Sequence, residues 1–147
     1  PPLPPLPPPL PPLAPGSTVV RPGQDTLQTA LTGAGTMLIL VDGVYHGSAS
    51  FVITRNVTIF ASNTGQAILD GQNAHCVLQI SGATVRLEGL VIRRGAQSSG
   101  YGGGIAMSGN CTVNAVTCTI NDNTAFGGGG IYAIGGSEVH FITCTIS

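Results

Sequence analysis

Four segments of the chain alternate polar and apolar residues with a period of two: Asn56-Val-Thr-Ile59, Thr84-Val-Arg-Leu87, Thr112-Val-Asn-Ala115 and Glu138-Val-His-Phe141. Successive side chains of a strand point to opposite faces, so the pattern predicts strands that bury Val57 and Ile59, Val85 and Leu87, Val113 and Ala115, and Val139 and Phe141. The spacing is nearly constant, since Thr84 follows Asn56 by 28 residues, Thr112 follows Thr84 by 28 and Glu138 follows Thr112 by 26. Two other landmarks keep that step. Ile131 follows Ile105 by 26 residues, each after a glycine run, and Cys144 follows Cys118 by 26 in the matching segments Thr117–Ile120 and Thr143–Ile146. A unit of this size cannot close a core alone, so its recurrence predicts stacking into a solenoid.

Two further strand families recur at the same step. Phe51–Ile53, Val77–Ile80, Ile105–Met107 and Ile131–Ile134 form one, and Ala67–Leu69, Leu90–Ile92, Thr117–Ile120 and Thr143–Ile146 the other. Three strands per coil enclose a roughly triangular core whose equivalent side chains stack at ~4.8 Å, with Gly102–Gly104 and Gly127–Gly130 at corners. The segment after Asp25 is the one helical pattern. Leu27, Ala30 and Leu31 share a face, Asp25 reads as an N-cap with Gln28 three residues on, and Gly33 is a stop signal. Such a helix, set before the first strand, would plug the open end of the solenoid, with Met37–Val41 starting the stack. The predicted fold is therefore all-β: a right-handed parallel β-helix over residues 17–147, with three strands per coil and a short N-terminal capping helix.

Residues 1–16 differ in kind. Pro1 to Pro15 holds ten prolines interrupted by Leu3, Leu6, Leu10 and Leu13, a composition that predicts a polyproline II rod. Such a rod reads either as a stiff solvated spacer or as an assembly element whose four leucines pack in a filament or oligomer interface. The chain begins on Pro without a basic and apolar leader, so any targeting signal is expected to be removed or to lie outside this segment. It stops at Ser147 inside a repeat, and the natural protein is expected to continue.

Composition narrows the function. Only 7% of residues are charged, lysine is absent and the net charge is −1, which offers nucleic acid or an acidic membrane no electrostatic attraction. The longest apolar run, Met37–Val41, is too short for membrane insertion. Glycine-rich loops bind phosphate where a helix follows; here a strand follows.

Candidate chemistry is sparse. Cys118 and Cys144, one coil apart, are disulfide candidates by Cα spacing or else a ladder of buried thiols, and Cys76 and Cys111 join them without a readable pairing. Asn56-Val-Thr58 and Asn110-Cys-Thr112 are N-glycosylation sequons. Asn56 falls on an outward strand position, and Asn110 on a corner where Gly82 and Gly136 stand in the flanking coils. With lysine absent, a catalytic base on an outward face would have to be Arg or His. The outward column Thr58, Arg86, Asn114, His140 reads first as a solvated polar column with no catalytic residue, and Arg86 and His140 are its alternative catalytic pair. The acids Asp25, Asp42, Asp70, Glu88, Asp122 and Glu138 do not recur at coil spacing. His46, His75 and His140 are isolated, and no spacing suits a metal.

The motifs Gly103-Gly104-Ile105, Gly129-Gly130-Ile131 and Ile120-Asn-Asp-Asn123-Thr-Ala125 resemble the polymorphic-outer-membrane-protein type of β-helix repeat, which pairs a Gly-Gly-Ala-Ile-like turn with Phe-x-x-Asn-x-Ala. Ile120 stands for the Phe, and Ile92-Arg-Arg-Gly95-Ala96 in the preceding coil lacks the Asn. The segment from Arg21-Pro-Gly-Gln-Asp25 to Asp42-Gly-Val-Tyr45 looks like the start of the wider pectate-lyase-like superfamily, which contains polysaccharide lyases, epimerases and non-catalytic surface proteins. A Pro-rich rod on such a solenoid is similar to the hydroxyproline-rich glycoproteins of green-algal walls and flagellar filaments, a likeness that implies modified prolines. Together these imply a non-enzymatic extracellular or cell-surface glycoprotein that builds or decorates a wall, sheath or filament. Its expected partners are other protomers, filament proteins and attached or bound glycans, and no cofactor is expected. The alternatives are a polysaccharide lyase or epimerase segment and a carbohydrate-binding adhesin.

Overall fold

The period-two segments lie side by side in register. The computed structural model describes residues 3–5 and 16–147, and in it Thr84–Glu88 runs parallel to Thr112–Val116 with Val85 opposite Val113 and Leu87 opposite Ala115. Six strands form this first face, in the order Ser17–Val20, Met37–Leu40, Val57–Ala61, Thr84–Glu88, Thr112–Val116 and Glu138–Ile142. The second face stacks Gly23–Gln24, Gly43–His46, Ala67–Asp70, Leu90–Arg93, Thr119–Asn121 and Thr145–Ile146. The third stacks Phe51–Ile53, Leu78–Ser81, Ile105–Ser108 and Ile131–Ala133. The chain visits the faces in turn and re-enters each sheet one rung further on, which makes a three-faced parallel β-helix.

Inward columns fill the prism. Leu38, Ile59, Leu87 and Ala115 follow one another on the first face, Tyr45, Leu69, Ile92 and Ile120 on the second, and Phe51, Leu78 and Ile105 on the third. All are buried. Each buried Leu, Ile or Phe of these columns contributes roughly 1.5–3 kcal/mol by leaving water, and β-branched and aromatic residues suit the pleated surface. The Tyr45 hydroxyl is buried too; it lies 2.6 Å from the Val41 carbonyl oxygen and 2.8 Å from that of Val20, which share its one proton. Burial pushes its pKa up to about 12.

The start of the stack departs from expectation in three ways. Ser17–Val20, not Met37–Val41, is the first strand, pairing with Met37–Leu40. The helix, Thr26–Leu31, follows two strands and occupies the third-face position of the first coil, against Phe51–Ile53. Its Leu27 and Leu31 are buried, as the plug requires. Asp25 does not cap it: the residue is left-handed (φ 60°) and no side-chain cap bond forms. An N-cap needs extended backbone to aim its oxygen at the first helical N–H groups; here the carboxylate turns to the Ser48 N–H at 2.9 Å. Gln28 reaches the other way, its Oε1 accepting the Val52 N–H at 2.8 Å. Arg55 closes the C-terminal end, its Nε 3.0 Å from the Leu31 carbonyl and one Nη 2.6 Å from that of Gly35. The helix thus covers the terminal edge of the third sheet and has its own orphan carbonyls covered in return.

Between the second and third faces the last two coils add a short ladder, Ala96–Tyr101 with Thr124–Gly127, where only glycine corners were expected. The glycines beside it let backbone meet backbone. Gly104 N donates to Gly129 O at 3.0 Å and Ile105 N to Gly130 O at 2.9 Å, and a Cβ at Gly104 would lie 2.5 Å from the Gly130 carbonyl oxygen. Of the Pro-rich segment, Leu3 is exposed (92%); Leu6, Leu10 and Leu13 lie outside the described residues. No helix among the described residues is long and apolar enough to cross a membrane.

Candidate functional site

The outward column of the first face is where the sequence places it. Thr58, Arg86, Asn114 and His140 are register partners, so Arg86 and His140 stand two rungs apart with Asn114 between them. Each carries a carboxylate from its own strand. Arg86 Nε lies 3.5 Å from Glu88 Oε2 and His140 Nε2 3.3 Å from Glu138 Oε2, all about half exposed or more. Residues two apart on a strand share a face, which is why these pairs form, and exposed pairs of this kind contribute ~0–1 kcal/mol. A shallow hollow of about 350 Å³ lies beside Arg86, bounded by Met37, Asn56, Thr58 and Thr84, and His140 does not reach it. The two candidates share a column without sharing a cavity.

The third face carries a different arrangement. Its outward column runs Val52, Gln79, Ala106, Tyr132, and these residues with Ser81 and Ser108 line a groove of about 290 Å³. Tyr101 walls it. The Tyr101 and Tyr132 rings stack with centroids 4.6 Å apart at 19°, and Phe126 meets Tyr101 edge-on at 5.9 Å and 75°. Phe126 is 77% exposed. The Tyr101 ring lies over Gly127, its register partner, where a Cβ would sit 2.5 Å from ring carbon Cδ1. Glycine at 127 is thus what lets the ring cross to the next coil. Tyr101, Phe126 and Tyr132 stand outside the candidates that the sequence pattern offers. Their signal was present in the outward slot, which holds Ala106 in one coil and Tyr132 in the next.

The second face holds the one buried charge among the described residues. Asp70 is 3% exposed, and its carboxylate accepts the Gln72 N–H at 2.7 Å and Arg94 Nε at 2.9 Å, with Arg93 Nε at 3.4 Å. Burial pushes its pKa up, but the Gln72 N–H and the two guanidinium groups outweigh that and hold it below the usual carboxylate range.

The other candidates serve the scaffold. All four cysteines are free in this structure, with Cys118 and Cys144 stacked one coil apart. Cys144 Sγ accepts the Cys118 N–H at 3.4 Å and bonds to the Ala115 carbonyl at 3.2 Å. In-register parallel neighbours point their Cβ atoms the same way and not at each other, which favours stacking over a bridge. Cys111 Sγ lies 2.7 Å from the Ser108 carbonyl and Cys76 Sγ 3.2 Å from that of Leu78. Burial pushes the Cys76 and Cys118 thiols up to about 11, which keeps them protonated at neutral pH. His75 is held between the carbonyls of Gly47 and Cys76. Asn56 is exposed just ahead of its strand, not within it, and its Oδ1 accepts the Thr84 N–H of the next coil at 2.8 Å. Asn110 is exposed and left-handed (φ 59°), like Gly82 (61°) and Gly136 (77°) at the same corner. Asn123 joins coils, its Oδ1 accepting Gly95 N–H at 2.8 Å and its Nδ2 donating to Ile92 O at 3.1 Å. Gly95 has no side chain because a Cβ there would run into the Gly103 carbonyl.

No family model matches the chain, and no curated protein matches it. Among solved structures it is similar to the PL6 family alginate lyase AlyGC, with a TM-score of 0.59 and 21% identity over 86% of this chain. That likeness shows the fold, a right-handed parallel β-helix. The chain spans about a fifth of the lyase's length, 20%.

Proposed function

We propose that this β-helix binds polysaccharide along its third face, as a recognition surface and not as a catalyst working through Arg86 and His140. The observation that carries the reading is the groove in which Tyr132 stacks on Tyr101 at 4.6 Å above a register-matched row of small and amide side chains. Exposed aromatic rings accept the C–H face of a pyranose, and nearby amides and hydroxyls take its hydroxyl groups; a few placed polar groups among apolar surface is how such sites select a ligand. A solenoid presents these elements at regular intervals, which suits a polymer. The similar lyase is named for a polysaccharide, alginate, which supports a glycan as ligand, although fold alone does not transfer activity.

A wall, sheath or filament glycoprotein at the cell surface is the wider setting we propose. In it the groove holds matrix glycan, while Asn56 and Asn110 are exposed for modification. The lyase alternative rests on Arg86 and His140, each of which lies against a carboxylate of its own strand. Gel retardation in a panel of soluble polysaccharides tests the reading. The protein is expected to be retarded by at least one, and Tyr132→Ala to weaken that binding about tenfold, or ~1.4 kcal/mol. Retardation that survives Tyr132→Ala and disappears in Arg86→Ala would move the site to the first face. Formation of unsaturated, ultraviolet-absorbing product from alginate or pectate would restore the lyase.

A further inference from the structure

We infer that the glycan taken by the third face is neutral, an inference that rests on the polysaccharide-binding reading above and adds to it the class of sugar. The four strands of this face, Phe51–Ile53, Leu78–Ser81, Ile105–Ser108 and Ile131–Ala133, contain no Asp, Glu, Arg or His, and the chain contains no Lys. The groove lining is equally free of charge.

Each arginine is placed elsewhere. Arg55 caps the helix, Arg86 pairs with Glu88 on the first face, and Arg93 and Arg94 hold Asp70 on the second. Arg21 lies beside the start of the helix, next to Thr26, whose hydroxyl donates to its carbonyl at 2.7 Å. The histidines follow suit: His46 ends a second-face strand, His75 lies between backbone carbonyls and His140 is on the first face.

A uronate or sulfated sugar brings one charge per residue, and removing it from water without a cation opposite is costly. A neutral pyranose needs only what the groove holds: the Tyr101 and Tyr132 rings, the Gln79 amide and the Ser81 and Ser108 hydroxyls. The row Gln79, Ala106 and Tyr132 recurs at one rung of ~4.8 Å, so the groove offers contacts at regular intervals along its length.

Isothermal titration of the full chain with cellohexaose, mannohexaose and xylohexaose, and with hexagalacturonate and hexaguluronate, decides it. At least one neutral hexamer is expected to bind about tenfold or more tighter than either acidic one, with affinity nearly unchanged between low salt and 0.5 M salt, as screening requires of an uncharged ligand (about 0.1 M already screens beyond ~10 Å). Tyr132→Ala is expected to weaken the binding of that hexamer about tenfold at an essentially unchanged melting midpoint. Tighter binding of an acidic hexamer, weakened by salt, overturns the neutral assignment while leaving polysaccharide binding intact. Absence of binding by all five overturns both.

Discussion

The first and third faces of this prism are made from the same kind of strand, at the same rung spacing, and differ in what they turn outward. Inward, Leu87 on the first face and Ile80 on the third are equally buried. Outward, the first face shows Thr58, Arg86, Asn114 and His140, with Glu88 and Glu138 beside the two bases. The third shows Val52, Gln79, Ala106 and Tyr132. Charges on the first face satisfy one another and water. The uncharged third face leaves aromatic surface uncovered, and an exposed apolar patch on an otherwise hydrated molecule marks a place for a partner. A solenoid separates the two tasks cleanly because inward and outward positions alternate: the core is conserved in kind around the coil while each outward column varies on its own.

If the faces are equivalent inside, Leu87→Ala and Ile80→Ala should cost the same, about 2–5 kcal/mol each, read by denaturant unfolding. A loss confined to one of them would show that the faces are not packed alike. The second face sharpens the contrast, because there a charge is structural. Asp70 has a folded pKa below its unfolded value near ~3.9, so its contribution is present above that value and is lost as pH falls through the folded pKa. Melting midpoints measured from about pH 6 to about pH 2, a range that brackets an ordinary carboxylate, should fall less steeply in Asp70→Asn than in the parent. Parallel profiles would mean that the Gln72 and Arg94 bonds do not favour the ionised form. The smallest effect belongs to the first face. Arg86→Ala should change stability by less than about 0.5 kcal/mol, since its pair with Glu88 is half exposed, and should leave glycan binding unchanged; a fall in either would place function on the polar column.

Much of the fold was legible because the strand repeat is a local property. Period two assigns inward and outward sides, and a constant step assigns register, so the three strand families pair as expected along residues 51–146. The corner shared by Gly82, Asn110 and Gly136 followed from the same arithmetic. Register is not legible where the step changes. Ser17 pairs with Met37, 20 residues on, and Met37 with Thr58, 21 on, against 28 from Asn56 to Thr84, and so the first strand was passed over. Asp70 pairs with Arg93 at a step of 23, which hid the buried ion cluster from a search at coil spacing.

What this chain determines by sequence alone is therefore its rung: which residues face in, which face out, and that coils stack, because alternation and glycine corners are short-range facts of covalent geometry. Only the tertiary structure decided which outward side chains meet. Gln28 finds Val52, Asp70 gathers Arg93 and Arg94, and Tyr101 crosses Gly127 to lie on Tyr132. These meetings depend on corner loops of unequal length and on the reach of long side chains between coils. The physical reason is that the core constrains inward positions by volume and burial, whereas an outward side chain is constrained only by neighbours that the finished stack brings to it.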